Sequence, residues 1–309
     1  MTVQQPHNSH CTCEIDVVAV VIVYFPDVAI LTKLMRRIRP QVRQVCIVIN
    51  QSEPDLSRQL QLHGIPAKDF VSILMPHNVG VAAAQNAGID YAYEVGAHQV
   101  LLLDQDSLPD DNMVAELKSA LATHPDAAAA GPCYLDPRAN NPPPFLRHEG
   151  LRLRRMPPTD GAVVEVDYLI SSGCLISLEA LAKVGPMRED LFIDYIDIEW
   201  GLRAKSVGLK CYGVFTAGMY HSLGDHPVRI FGRGISLHSS MRNYYLFRNA
   251  TLLYKEKWIP LNWKFTDSWR LARRFFFYLF FGGEFFTRLR MMTLGIFHGL
   301  LGRSGERLP

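Results

Sequence analysis

The sequence predicts an α/β fold with a mostly parallel central sheet, followed by a basic, aromatic helical region. Three observations predict it. Apolar, β-branched runs of strand length alternate with helix-like segments. One of those runs closes on the acidic pair Asp104 and Asp106. From about residue 238 the pattern turns into amphipathic helices rich in Arg and Phe. Strands that are apolar on both faces and separated by helices belong to sheets covered on both sides.

The first run, 16–25 (DVVAVVIVYF), is too short to cross a bilayer and ends at Pro26 and Asp27, which can open a helix. A helix over 28–38, a strand over 44–49 and a polar loop over 50–55 follow. Next come a short strand at 71–74, a helix at 79–95 and a strand at 99–103. A further helix over 110–122 leads to a stretch, 131–162, that holds seven prolines and several arginines and reads as a long loop or lid over the sheet face. Strands at 163–169 and 173–177, helices near 178–184 and 196–207, and a strand at 209–214 complete this part. The expected organisation is a flexible tail (1–15), a catalytic α/β domain (16–226) and a helical region (227–309) for acceptor or membrane association or dimerisation.

The 309 residues, 48% hydrophobic and 20% charged, can bury a sizeable core and exclude a disordered chain. The net charge of +2 conceals two opposite parts. Residues 1–226 carry 18 Lys and Arg against 26 Asp and Glu, whereas 227–309 carry 14 against 4 and hold 18 of the 32 aromatic residues. A basic and aromatic region fits an anionic membrane surface better than nucleic acid. Its longest uncharged apolar run, 275–283, is nine residues, whereas a span needs roughly 20. The helices are therefore expected to lie on a membrane. Six scattered cysteines without a C-x-x-C, and no secretory pattern at the start, predict reduced thiols and a cytoplasmic protein.

The GxxxxGK[ST] and GxGxxG patterns are both absent, so a glycine-rich phosphate loop is not expected. Two carboxylates one residue apart at a strand end, Asp104 and Asp106, can instead hold Mg²⁺ or Mn²⁺, which favour oxygen ligands and share them with substrate phosphates. Taken alone, the pair could equally be a solvated turn capping the next helix.

The ordered series YFP at 24–26, INQS at 49–52, NVGVAAAQNAG at 78–88, LLLDQDS at 101–107, SSGCLIS at 171–177, LFIDYIDIEWGLRA at 191–204 and MYHSLGDH at 219–226 resembles the inverting family-2 glycosyltransferases of GT-A fold. It is most similar to their rhamnosyltransferase branch. The resemblance covers about 16–226 and implies roles position by position. Tyr24 and Asn50 would line the nucleobase and ribose pocket; Asn78, Gly80, Ala82 and Asn86 would bring a helix start close to the donor. Asp104, Gln105 and Asp106 would bind the nucleoside diphosphate, and Asp104, Asp106 and His221 the metal. Asp197 would be the catalytic base, although Ile196 stands where the family commonly has Glu, which leaves Asp194 as a rival.

An inverting transfer needs one carboxylate to take the acceptor proton while the departing diphosphate is stabilised. Glu199 and Arg203, four residues apart, are expected to form an ion pair, and Asp194 and Asp197 could share a helical face. In 241–250 (MRNYYLFRNA), Arg242, Tyr245 and Arg248 read as an acceptor-side element, with an ordinary amphipathic helix as the equal alternative. The implied activity is inverting transfer of L-rhamnose from dTDP-β-L-rhamnose, giving an α linkage to a lipid-linked glycan. It would take place at the inner face of a bacterial inner membrane, without nucleic acid and with a homodimer as another use of the aromatic helices. A family-2 transferase for another UDP- or dTDP-sugar, such as galactofuranose, and a non-catalytic carbohydrate-binding protein are the alternatives.

Overall fold

The computed structural model describes residues 16–51, 55–135, 144–157, 162–220, 227–230, 233–236 and 238–307. The expected N-terminal tail and His221 lie outside the described residues. The chain opens with β1 (Val17–Val23), every residue of which is buried, and α1 (Val28–Ile38). Asp27 caps α1 by accepting from the backbone N–H groups of Ala29 and Ile30 at 2.8 and 3.2 Å, which satisfies donors that the first helical turn leaves open. Then come β2 (Gln44–Ile49), α2 (Leu56–Leu62), β3 (Phe70–Leu74), α3 (Val81–Glu94), β4 (Gln99–Asp104), β5 (Leu108–Pro109), α4 (Met113–Thr123) and β6 (Ala127–Leu135). They are followed by β7 (Phe145–Glu149), β8 (Arg152–Met156), β9 (Val163–Val166), β10 (Leu175–Ser177), α5 (Leu178–Val184), α6 (Ile196–Ser206) and β11 (Lys210–Tyr220). A ribbon of β12 (Pro227–Ile230) and β13 (Arg233–Ser236) leads to α7 (Ser240–Lys255), α8 (Leu261–Phe281) and α9 (Phe285–Leu300).

The main sheet runs in the order β3-β2-β1-β4-β10-β6-β11-β5, with β9 also paired to β11. Its first half, β3 to β4, is parallel as expected. The second half is mixed, because β10 lies antiparallel to both β4 and β6 while β6 and β11 are parallel. Reversal at β10 brings the SSGC turn back beside the end of β4, next to the acidic pair.

Residues 131–162 are not one long loop. Their first part extends β6, an inner strand, and 145–156 form the β7–β8 hairpin. The small run 127–130 packs without bulk between neighbours, and Pro132 is accommodated beside the register shift between Val214 and Gly218 of β11. The hairpin is pinned by buried Asp167, which accepts from the backbone N–H and ring nitrogen of His148 and from Lys205. Burial pushes the Asp167 carboxyl up, but the hydrogen bonds from His148 and Lys205 outweigh it and hold the group below its ordinary range.

The C-terminal helices complete the core on one face of the sheet: Leu246, Phe247, Trp263 and Met292 belong to the same apolar cluster as Val18, Val20 and Leu102. α9 lies almost backbone to backbone on α7. A Cβ at Gly295 would meet the Tyr244 carbonyl oxygen at 2.4 Å, and one at Gly299 the Arg248 carbonyl oxygen at 2.7 Å. Gly295→Ala should therefore lower stability by about 2 kcal/mol, read as a shifted denaturant midpoint with an unchanged m-value.

Candidate active site

The carboxyl ends of β1, β2 and β4 are laced together by two glutamines. Gln105 Oε1 accepts from the Tyr24 N–H at 2.7 Å, and Gln51 Oε1 from the Phe25 N–H at 2.6 Å. Tyr24 and Phe25 stand exposed above them as an edge-to-face pair with ring centroids 4.6 Å apart. Asp104 and Asp106 are half-buried beside this platform. Their turn is held by Ser172, which accepts from the Asp104 N–H at 3.1 Å and shares a hydrogen with the Ser107 hydroxyl at 2.5 Å.

Asn50, Asn78 and Gly80 form one knot beneath the edge. The Asn50 amide donates to Asn78 Oδ1 and the Gly80 carbonyl and accepts from the Val79 N–H. Gly80 has φ +88°, and a Cβ there would lie 2.7 Å from the Phe192 carbonyl oxygen. That same oxygen accepts from the Val81 N–H at 2.7 Å. The start of α3 therefore meets the acidic segment of the chain. Two expectations are corrected here. Ala82 is wholly buried, and the Asn86 amide is committed to Met187 and Glu189, so neither presents a group to a donor.

The acidic segment has an uncommon backbone. Phe192, Asp194 and Tyr195 have φ of +64°, +65° and +67°, a region that costs a side-chain-bearing residue roughly 1–2 kcal/mol. Three groups of hydrogen bonds hold it. The fully buried Asn249 amide donates to the carbonyls of Leu191, Ile193 and Asp194 at 2.8, 2.8 and 2.9 Å. Arg248 donates to the carbonyls of Asp190, Leu191 and Gly305. The Tyr195 hydroxyl donates to buried Asp267 of α8 at 2.8 Å, which also accepts from Tyr254 and Arg270.

The acceptor-side reading of two residues changes accordingly. Arg248 is a buried tie whose guanidinium is occupied by carbonyls, and Tyr245 is buried in a stack with Phe192, ring centroids 5.0 Å apart. Arg242 stays partly exposed and grips Asp194 through Nε and Nη2 at 2.9–3.2 Å.

The left-handed pair Asp194–Tyr195 delivers the chain into α6, whose first turn carries Asp197. Asp194 lies before the helix, so the two acids do not share a helical face. Glu199 and Arg203 make the expected pair at 2.9–3.0 Å, and Arg203 also reaches the carbonyls of Val184 and Pro186. Asp197 borders a small cavity lined by Leu102, Leu169, Cys174, Ile176 and Trp200. Burial, with the charges of Asp194 and Asp104 adding to it, pushes its carboxyl up to about 6.

Residues 19–184, more than half of the chain, match the glycosyl transferase family 2 domain. The chain belongs to that family. The dTDP-rhamnosyl transferase RfbF of Shigella flexneri is 33% identical over 249 residues, covering 80% of this chain and 82% of that protein. Among solved structures, GalNAc-T7 with UDP, GalNAc and Mn²⁺ aligns with a TM-score of 0.60 at 12% identity, over 79% of this chain and 49% of that one. S. aureus TarS 1–349 in complex with UDP-GlcNAc aligns at 0.57 and 11% identity, over 93% and 81%. The GT-A glycosyltransferase fold is shared with both.

In this glycosyltransferase the edge residues suit a hard divalent cation. Asp104 and Asp106 offer oxygen ligands, and the charge of Asp104 already presses on Asp197, so negative charge is concentrated where a cation would relieve it. Among the described residues no three His, Cys, Asp or Glu side chains form a ready-made metal cluster. Sequence reasoning missed Gln51 and Ser172 as organisers of this edge, although both stand in motifs it noted, INQS and SSGCLIS.

With Asp197 in the role of base that the resemblance implies, activity is expected to fall as pH drops through about 6 and to be level above it, checked by the pH dependence of kcat/KM. The same raised value makes ionised Asp197 a destabilising group. Asp197→Asn should raise stability at neutral pH by on the order of 2 kcal/mol, and the gain should shrink as pH falls below about 6 and vanish only below about 3, where both folded and unfolded carboxyls are protonated.

Proposed function

We propose that this family-2 glycosyltransferase moves L-rhamnose from dTDP-β-L-rhamnose, with inversion, to a hydroxyl of a lipid-linked glycan of the bacterial surface. The observation that carries the donor is the 33% identity to a dTDP-rhamnosyl transferase over most of both chains. Asp197 accepts the proton of the acceptor hydroxyl as its oxygen bonds to the anomeric carbon. The bond from that carbon to the diphosphate oxygen breaks on the opposite face, dTDP leaves, and a β donor yields an α product. A carboxylate beside a small apolar cavity is more basic than one in water, which favours this role. Asp194, gripped by Arg242, is the poorer base because an ion pair must break before it can take a proton.

Tyr24 and Phe25 supply an aromatic platform for the thymine ring, and Gln105 and Asp104 flank the ribose and diphosphate. Asp104 and Asp106 would hold Mg²⁺ or Mn²⁺, which when bound supplies positive charge to the departing diphosphate. His221 is a candidate third ligand. Arg242 faces the acceptor side, and the protein works at the inner face of the membrane that carries its acceptor.

Purified protein with dTDP-β-L-rhamnose and a lipid-linked acceptor should give a product heavier by one deoxyhexose, and chelation should abolish it until Mn²⁺ is restored. Asp197→Asn should lose at least about 100-fold in kcat with little change in KM, and Asp194→Asn much less. Turnover of UDP-sugars in preference to the dTDP donor, or a fully active Asp197→Asn, would contradict the assignment.

A further inference from the structure

The aromatic richness of the C-terminal region divides cleanly in three dimensions. Tyr244, Tyr245, Phe247, Trp263 and Tyr278 are buried, and three of the arginines are spent internally: Arg248 on carbonyls, Arg270 on Asp267, and Arg288 on the carbonyls of Gly282, Gly283 and His238. Most of the exposed aromatic side chains of α8 and of the α8–α9 turn lie on one surface. On α8, Leu261, Phe265, Trp269, Phe276 and Phe280 are 59–70% exposed. At 100° per residue they fall within an arc of about 100° on the side away from buried Trp263, Asp267, Leu271 and Tyr278. The stripe runs into the α8–α9 turn, where Phe280 touches Phe285, Phe285 touches Phe286, and Phe281 stacks on Phe277. Phe286 is 81% exposed. Together these side chains leave on the order of 800 Å² of apolar surface in water, more than a typical monomer shows in one patch.

The charges around this surface select its occupant. Arg273 on α8 and Arg290 and Arg303 beyond it are exposed. Glu284 is the exposed acid within α8, α9 and their turn, and it accepts from the Ser240 hydroxyl; Asp267 is buried under Arg270. A second copy of the chain would set the same cations against one another, in a region with a net charge of +10. An anionic bilayer offers hydrocarbon for the phenyl rings, an interface for the Trp269 ring and phosphates for the arginines. No described helix is long and apolar enough to cross a membrane, so the stripe lies in the interface plane.

We propose that the outer face of α8 and the phenylalanine turn between α8 and α9 form the surface on which this protein docks to anionic lipid. The inference deepens the reading of a lipid-linked acceptor, since docking there holds the transferase on the bilayer that carries its substrate.

The test is flotation of the full chain with phosphatidylcholine vesicles, with and without phosphatidylglycerol, alongside tryptophan emission. The expected result is partition onto the anionic vesicles at least about tenfold above the neutral ones, with a blue shift that Trp269→Phe removes. Phe276→Ser combined with Phe286→Ser should lose partition at least about tenfold, and Arg273→Glu with Arg290→Glu should erase the preference for anionic lipid. Circular dichroism melts and turnover of a water-soluble acceptor should stay at wild-type levels in all three.

Wild-type protein that stays with the aqueous phase, or aromatic variants that float as it does, would overturn the proposal. So would a dimer in sedimentation velocity that the aromatic variants dissolve, because the face would then belong to a second copy. Transfer without flotation refutes the docking surface alone, and flotation without rhamnosyl transfer refutes the functional reading alone.

Discussion

One side-chain amide holds the reactive part of this molecule in shape. Asn249, inside α7, gives its hydrogens to three carbonyls of a segment whose backbone is left-handed at three residues with side chains. Without those bonds the segment would have little reason to stay in a conformation that costs several kcal/mol, and buried carbonyls would be left without donors. The clamp fixes the entry angle of α6, and α6 fixes Asp197. It also presses the Phe192 carbonyl onto the start of α3, where only a glycine at position 80 leaves room. The donor-side helix, the acidic segment and the C-terminal helices therefore form one mechanical unit.

That unit explains the energetic character of the site. The charges of Asp194 and Asp104 raise the proton affinity of Asp197, which also faces apolar walls. A fold selected only for stability would not keep such a group. Rigid packing compensates: α9 lies against α7 at glycine distance, and Asp267 gathers Tyr195, Tyr254 and Arg270 around one buried carboxylate. The site keeps a carboxyl raised to about 6, the proton acceptor proposed above, while the helices behind it supply the stability.

Most of the parallel half of the sheet was legible because its strands are β-branched and its helices are punctuated by residues such as Asp27. α1, β2 and α5 fall where periodicity put them. β6 was not legible: an alanine run with Pro132 has weak strand propensity, and only its place between β10 and β11 makes it a strand. α2 escaped because its buried face consists of Leu56 and Leu60 alone. At the site, the acidic pair at a strand end and the Glu199–Arg203 pair follow from spacing. The clamp does not. Arg248 reads as a group for a substrate and Asn249 carries no signal of its clamping role, because donors aimed at carbonyls more than 50 residues away leave no pattern in the sequence.

The measurement that bears most directly on this account is amide hydrogen exchange across residues 188–196 in the wild type and in Asn249→Ala. The account predicts slow exchange there in the wild type, and at least tenfold faster exchange in the variant, with the amides of β1, β2 and β4 unchanged. Equal protection of the segment in both proteins would show that the left-handed turn stands without the clamp, and would contradict the claim that Asn249 holds Asp197 in place.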